Sequence, residues 1–463
     1  MSGTVVRPRA FAVVWADVDR WSVKSFQRAS WGWPEEEIRP LSHALERRLD
    51  SVDRTVFEPR SENYVTIRFS GKIEQRQTRG ARVIKGKLFV AMPGDVIYSK
   101  IDVRNGAIGV MPPQPAIAAV TAEFPVYRIR PDVAVPEYIA LLFRTAHFRK
   151  IINTITSGAS GRKRVQPEEL ARLRVPLPAI QMQREIVDHW EVERRKVDSR
   201  EQRAVAQECS ALTEFMNGLG LKAPRTAQGR RAFATRWASV ERWGVESARF
   251  ASVVSSLADG RYPVAGGRRF LQEVKHGCSA SPSVVPSQLE VLKISAVTRG
   301  RLDVREKKYM HDSERFRREF DLRGGDVLVC RTNGTLHMVG MSALVGQDLA
   351  GLIFPDKIIR LRCGANILPA YLWKALQLPQ VRAQIEGAAR TAVGNYAIGS
   401  EDLWNLQLPL PPLDAQAVLI ARLEAELASA QSMRDQSVVA AAAVQASVES
   451  MIVGVNRVQG ARA

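Results

Sequence analysis

GDVIYSKIDVRNGAIGV, residues 94–110, and GDVLVCRTNGTLHMVG, residues 325–340, are two versions of one pattern. Each opens with Gly-Asp-Val and continues in alternating residues. Each then passes an Asn-Gly pair, Asn105-Gly106 or Asn333-Gly334, into a second short apolar run. Asn-Gly between alternating runs signals a strand–turn–strand hairpin, because both residues tolerate the positive φ of a tight turn. The two stretches lie 231 positions apart, a separation that points to a duplication as long as a domain.

Working outward, more matches fall in the same order. Upstream, Asp19-Arg20-Trp21-Ser22-Val23-Lys24-Ser25 pairs with Glu241-Arg242-Trp243-Gly244-Val245-Glu246-Ser247. Downstream, Pro136-Glu137-Tyr138-Ile139 pairs with Pro369-Ala370-Tyr371-Leu372, each placing Pro in the first turn of a helix. Val175-Pro176-Leu177-Pro178 followed by Gln183 pairs with Leu408-Pro409-Leu410-Pro411 followed by Gln416. Four ordered matches at nearly constant offset make this a protein of two homologous halves. The repeat is too long for a solenoid.

After each Leu-Pro pair comes a long Pro-free helical pattern. The first has apolar residues at Ile186, Trp190, Val197, Val205, Leu212, Phe215 and Leu219, and the second at Ile420, Leu423, Leu427, Val444, Val448 and Met451. Such stripes bury one helix face, and at equivalent places in two halves they are expected to pack on each other. Ala440–Ala443 would favour helix and permit close approach. Gly218–Arg231 reads as the linker between halves. The expected organisation is two globular α/β (α+β) domains, 1–178 and 223–411, in pseudo-twofold tandem. They alternate with helical segments 179–222 and 412–463, which pack as an antiparallel coiled coil.

The 463-residue chain carries 67 Lys and Arg against 48 Asp and Glu, a net charge of +19. By segment the charge is +11 over 1–178, −1 over 179–222, +10 over 223–411 and −1 over 412–463. Two basic bodies and two neutral helical segments fit nucleic-acid-binding domains joined by helices that serve other contacts. Membrane attachment would instead concentrate charge on an amphipathic helix or a terminus. There is no unbroken apolar run of about 18 residues, so no transmembrane helix is expected. No signal peptide is read after Ala10–Ala16, since Asp17 and Asp19 follow at once. Cys209, Cys278, Cys330 and Cys363 lie far apart without a Cys-x-x-Cys pair, which fits a cytoplasmic location.

The nucleic-acid-binding candidates gather in five places. Arg76, Arg79, Arg82 and Lys85, with Lys87, precede the first hairpin; Lys100, Arg104 and Asn105 surround its turn. Ser157–Arg164 is a small-residue loop ending in Arg162, Lys163 and Arg164, apt for close approach to phosphates. In the second half the candidates are Arg331, Thr332, Asn333 and His337 at the hairpin, with Arg390, Thr391, Asn395 and Tyr396 in the later loop. Arg on guanine and Asn on adenine are the bidentate base readers, whereas Lys and Gly backbone serve phosphate. For any single residue a solvated surface charge is the competing reading, and the clusters carry the argument.

Catalytic patterns are sparse. Gly80 to Gly86-Lys87 is one residue too long for a phosphate-binding loop and has Leu88 where Ser or Thr should follow. No Gly-x-Gly-x-x-Gly and no Asn/Asp-Pro-Pro-aromatic motif occurs, and the six histidines lack ligand spacing. Asp95 with Lys100 could serve a metal-dependent nuclease, but the equivalent pair is Asp326 with Arg331, and Gly-Asp more simply turns the chain into a strand. The chain is expected to be no enzyme and to bind no cofactor or metal itself. The competing readings are a metal-dependent DNA endonuclease, or a scaffold for RNA or a membrane surface.

Arg-Trp-x-Val opening each half, the Gly-Asp-Val hairpin, Pro-x-Tyr before a helix, the SGASGRKRV loop and Leu-Pro ahead of a long helix together resemble the specificity subunit of Type I restriction–modification systems. The resemblance covers about residues 15–455 and rests on the twofold order. It implies two target-recognition domains, each reading one half of a bipartite, asymmetric site on double-stranded DNA. The helices act as a ruler for the unread spacer. It further implies two adenine methyltransferase subunits docked on the helices and an endonuclease/translocase subunit for restriction. S-adenosylmethionine, ATP and Mg²⁺ would belong to those partners. A specificity subunit serving a methyltransferase without a restriction subunit is the variant reading.

Overall fold

A computed structural model describes residues 31–55, 63–76, 86–155, 164–222, 256–392 and 394–455. The Asp19–Ser25 and Glu241–Ser247 match lies outside the described residues. The described chain groups into two compact units. One takes the residues up to Glu201 and those from Asp435 on; the other runs from Gln202 to Arg434. The division falls inside both long helices, so each unit contains a piece of each.

In the first unit the strands are β1 (Ile38–Pro40), β2 (Leu45–Arg48), β3 (Val65–Ile67), β4 (Ile73–Gln75), β5 (Phe89–Ala91), β6 (Val96–Tyr98), β7 (Ile108–Val110), β8 (Ala118–Val120), β9 (Val126–Ile129) and β10 (Arg174–Pro176). Helices α1 (Pro136–Arg144), α2 (Ala146–Ile155) and α3 (Pro167–Ala171) precede the long α4 (Ile180–Gly218). The second unit has β11 (Val264–Gly266), β12 (Leu271–His276), β13 (Glu290–Leu292), β14 (Lys307–Tyr309), α5 (Glu314–Glu319), β15 (Val327–Cys330), β16 (Thr332–Asn333), β17 (Ser342–Leu344), β18 (Leu352–Ile353) and β19 (Ile358–Cys363). It continues with α6 (Pro369–Ala375), α7 (Pro379–Ala388), β20 (Arg390–Ala392), β21 (Asn395–Ala397), α8 (Ser400–Trp404), β22 (Gln407–Pro409) and the long α9 (Leu413–Val453).

Each unit is organised by an antiparallel four-stranded sheet, β2-β9-β6-β7 in the first and β12-β19-β15-β17 in the second. β1 pairs with β10, and β11 with β22. The class is mixed helix and sheet, as the sequence implies.

The duplication extends to single hydrogen bonds. Tyr138 Oη donates to the Pro176 carbonyl at 3.0 Å, and Tyr371 Oη to Pro409 at 2.7 Å. Gln183, fully buried, accepts from the Val135 N–H and donates to the Val133 and Pro178 carbonyls. Gln416 does the same with Leu368, Asn366 and Pro411. Those contacts explain why Gln stands five residues past each second proline: it satisfies backbone groups that the loops leave buried. Ile139 and Leu372, beside the tyrosines, are fully buried, each stabilising its core by about 1.5–3 kcal/mol.

Gly94 and Gly325, at φ +84° and +94°, turn the chain into β6 and β15. The following aspartates close these turns: Asp95 accepts from the Met92 N–H and Asp326 from the Arg323 N–H. Each long helix ends alike. The Val453 carbonyl accepts from the Gly32 N–H, and Leu219 from Arg261, with Gly454 and Gly220 next in the left-handed region. Thus α9 closes the first unit and α4 the second.

Within each unit the long helices run antiparallel. In the second, Arg434 forms a bidentate pair with Glu208 (2.5 and 2.8 Å), and Arg422 reaches Glu214 at 2.7 Å. In the first, Ser447 lies 3.4 Å from His189. The expected stripe is partly corrected: Val205 and Leu212 are exposed, while Ala204 and Ala211 are buried. Small side chains take the seam where the helices approach closely, and Gly218, a Cβ on which would meet Leu419 at 2.4 Å, continues that rule. α9 also modifies the membrane expectation. By length and composition it is apolar enough to cross a membrane, with a mean hydropathy of 1.3 over 18 residues. No unbroken apolar run is needed for that average, since Ala and Val supply it; its Val444, Val448 and Ile452 are buried in the protein.

Candidate nucleic-acid interface

The second hairpin departs from a plain strand–turn–strand. After β15 the chain leaves the four-stranded sheet at Arg331, and Thr332 and Asn333 pair with Ala397 and Tyr396 of β21. β21 in turn pairs with β20, Arg390 opposite Ala397 and Thr391 opposite Tyr396. The return strand β17 starts only at Ser342, so the tight Asn333-Gly334 turn expected from the sequence is not formed. The pair opens a longer connection in which Asn333 Oδ1 accepts from the Thr335 N–H at 3.1 Å.

That detour brings together residues about 60 positions apart in sequence. Arg331, Asn333, Arg390, Asn395 and Tyr396 occupy one small sheet, β16-β21-β20, or its immediate start. The Ile398 N–H donates to the Arg331 carbonyl at 3.0 Å and locks the later loop to the hairpin. Arg390 and Asn395 are exposed, Arg331 and Asn333 half-buried, and Tyr396 leans partly on the core. His337 is exposed on the 3₁₀ turn that follows, its carbonyl held by Arg382 at 2.9 Å.

Arg331 is anchored by the Asp356 carbonyl at 3.1 Å, with the Asp356 carboxylate at 3.9 Å. His276 lies near enough to feel both charges. Burial and Arg331 lower its pKa while Asp356 opposes them, and its Nε2 sits 2.7 Å from Ser400 Oγ. Cys330, the buried last residue of β15, is pushed up to about 11 by burial and donates to the Thr332 carbonyl at 3.6 Å, so it is a packing thiol and not a thiolate nucleophile.

The first unit joins the same two segments. The Val165 N–H donates to the Lys100 carbonyl at 2.9 Å, the counterpart of Ile398 and Arg331. Arg164, exposed, pairs at 3.4 Å with Glu123, whose carbonyl accepts from the Lys100 N–H. Asn105 is exposed at the turn with Nδ2 3.3 Å from Asp102, and Arg104 beside it is half-buried. Arg76 is exposed just past β4, its N–H bonded to the Tyr64 carbonyl. Arg79, Arg82, Lys85, Arg162 and Lys163 lie outside the described residues.

The aspartates considered for nuclease chemistry are otherwise engaged. Asp95 is buried and pairs with Arg48 at 2.7 Å; Asp326 is buried and pairs with Arg362 at 2.8 Å. Burial opposes charge on Arg48, but its bonds to Asp95 and Asp50 win and raise its pKa. A carboxylate bonded to a turn N–H and an arginine is a structural anchor. Among the described residues no group of three or more His, Cys, Asp or Glu side chains is placed to hold a metal ion.

Sequence reasoning missed the arginines that support the hairpins from helices. Arg144, at the end of α1, donates to the Gly106 and Ile108 carbonyls, and burial lowers its pKa to about 10. Arg382 of α7 supports the second turn through His337 and pairs with Glu386 at 2.9 Å. Neither stands in a cluster or motif, so nothing in the sequence marks it.

No family model matches the chain. It is 24% identical over 302 residues to the Type I restriction enzyme EcoKI specificity subunit of Escherichia coli (strain K12), covering 65% of this chain and 60% of that protein. It is 23% identical over 313 residues to the StySPI specificity subunit of Salmonella potsdam, covering 66% and 62%. The chain thus matches about 60% of the length of these curated relatives. In fold it is similar, with a TM-score of 0.56 and 16% identity, to a chain solved in work on complex assembly and conformational transition of the type I R-M system. That likeness covers 90% of this chain and 97% of the other. In sequence, then, this chain is similar to the specificity subunits of Type I restriction enzymes, and in fold to a chain of such a system.

Proposed function

We propose that this chain is the non-catalytic, DNA-reading specificity subunit of a Type I restriction–modification complex. Residues 1–178 and 223–411 act as two target-recognition domains, each reading half of a bipartite duplex site. Segments 179–222 and 412–463 set the spacer and receive two adenine methyltransferase subunits; an endonuclease/translocase subunit completes restriction. S-adenosylmethionine, ATP and Mg²⁺ act in those partners.

The observation that carries this reading is the same joint in both units. A later loop is hydrogen-bonded to the hairpin at Lys100–Val165 and again at Arg331–Ile398, and polar or cationic candidates gather there each time. One frame carrying two different sets of readers suits an asymmetric bipartite target. The resemblance in sequence supports the same assignment.

The test is binding of the purified full chain to duplex DNA across a salt series, together with co-purification with an adenine methyltransferase. The expected result is affinity that falls linearly in log–log form with salt, with a slope of about −0.9 per phosphate neutralised, and two methyltransferases per chain. Cleavage of DNA by the chain alone with Mg²⁺, abolished by Asp95→Asn, would overturn it in favour of a nuclease.

A further inference from the structure

The second unit carries a basic hairpin apart from the hairpin and later loop described above. β13 and β14 pair antiparallel, with Glu290 opposite Tyr309, Val291 opposite Lys308 and Leu292 opposite Lys307. β14 is the last strand of the sheet β14-β13-β18, its outer side bridged by Ser283 at Tyr309, and all three of its residues are exposed. Residues 290–311 hold more Lys and Arg than acids, and the acids are Glu290, Asp303 and Glu306. Each acid is occupied: Glu290 by Lys307 at 2.6 Å, Asp303 by Arg305 at 2.9 Å, and Glu306 by Lys293 at 3.3 Å and Ser295 at 2.8 Å. The hydrogen bonds from Arg305 hold Asp303 down to about 2, so the pairing persists at neutral pH.

Three exposed cations, Arg299 and Arg301 in the connection and Lys308 on β14, form no ion pair among the described residues, although Arg299 lies near enough to Asp303 to help lower its pKa. Tyr309, 40% exposed, stands next to Lys308. Lysine on an edge strand discourages sheet-to-sheet pairing, which accounts for β14 but not for the arginines of the connection. Arg301 lines a cavity whose other walls are mostly apolar, Leu302, Val304, Leu344 and Trp373 among them, but Arg299 and Lys308 do not; cations spread along a hairpin in this way suit an extended polyanion better than a small anion. The repeat gives the same position a basic load twice. This segment lies between β12 and β15, as Arg76, Arg79, Arg82 and Lys85 lie between β2 and β6.

We propose that the β13–β14 hairpin grips duplex-DNA phosphates through Arg299, Arg301 and Lys308, as a sequence-independent anchor of the second unit separate from its β16-β21-β20 sheet. The inference rests on the DNA-reading function proposed above. Phosphate binding sets register and affinity but carries no sequence information, so the two surfaces divide the work.

The test compares the full chain with a triple variant, Arg299→Gln, Arg301→Gln and Lys308→Gln, on several duplexes across a salt series. The expected salt slope is shallower by about 0.9 for each cation removed, about 2.7 in all, with affinity lowered equally on every sequence. Lys308→Gln alone, at an exposed position, is expected to flatten the slope by about 0.9 and guards against a folding defect in the triple variant. A wild-type chain that binds duplex DNA while both variants keep its slope and affinity overturns this inference and leaves the proposed function standing. So does a triple variant that loses single-stranded RNA binding but not duplex binding. A wild-type chain without salt-dependent duplex binding removes both readings.

Discussion

In the first unit β6 and β7 pair directly, joined not by a two-residue Asn-Gly turn but by a connection with a 3₁₀ turn, Val103–Asn105, that Gly106 ends in the left-handed region. In the second the chain leaves β15 at Arg331, spends Thr332 and Asn333 in a different sheet, and returns only at Ser342. The main-chain bond that fastens the later loop is nevertheless the same, Val165 to Lys100 in one unit and Ile398 to Arg331 in the other. The buried aspartate of the turn finds an arginine both times. Arg48 comes from the first strand of its sheet, β2, whereas Arg362 comes from β19, the strand between β12 and β15. Backbone geometry and charge balance are therefore held constant while the residues that supply them change. At the candidate interface even the strand pairing is free to differ.

The sharpest way to break the comparison is to remove those arginines. Arg48→Ala and Arg362→Ala each leave a buried carboxylate without its cation, and each is expected to cost about 3–5 kcal/mol, read by urea unfolding. A neutral result in either unit would mean that the paired aspartate is not a shared structural anchor. Next come the glutamines. Gln183→Leu and Gln416→Leu strip one N–H and two carbonyls of their partner, and the expected losses are about 2–3 kcal/mol and equal within error. Unequal losses would show that the repeated geometry is not repeated energetics. Smaller still, Tyr138→Phe and Tyr371→Phe should each cost about 1 kcal/mol in the same assay, one buried hydrogen bond apiece.

The smallest expected effect separates the units. Burial, with Arg331, lowers the pKa of His276 below the ordinary 6.5. The folded state therefore binds that proton less readily than the unfolded state. Its contribution to stability is complete above pH 6.5 and fades as pH falls through the lowered value. His276→Gln should flatten the pH dependence of unfolding in that window, and an unchanged profile would remove His276 from this role.

Much of this frame is legible in the sequence because the repeat marks it. Pro-x-Tyr, Leu-Pro and the distant Gln survive twice since each serves a buried bond that few other side chains can make. Gly94 and Gly325 are visible because their φ values of +84° and +94° disfavour other residues. The candidate interface is only partly legible. Composition nominates Arg331, Asn333, Arg390 and Asn395, but their union in one sheet depends on a long-range pairing that no local pattern encodes. Periodicity puts Val205 and Leu212 in the helix seam, because it does not reveal that alanine, permitting closer approach, fills the seam instead. Arg144 and Arg382 escape notice because a lone arginine on a helix has no spacing to betray it.

The central claim is that two units on one frame read two different halves of a duplex site. Replacing residues 223–411 with the corresponding segment of a relative, then sequencing the methylated sites in cells carrying the hybrid, tests it most directly. One half of the bipartite sequence is expected to change while the other half and the spacer stay as they were. A change in both halves, or methylation that does not depend on this chain, would contradict the claim.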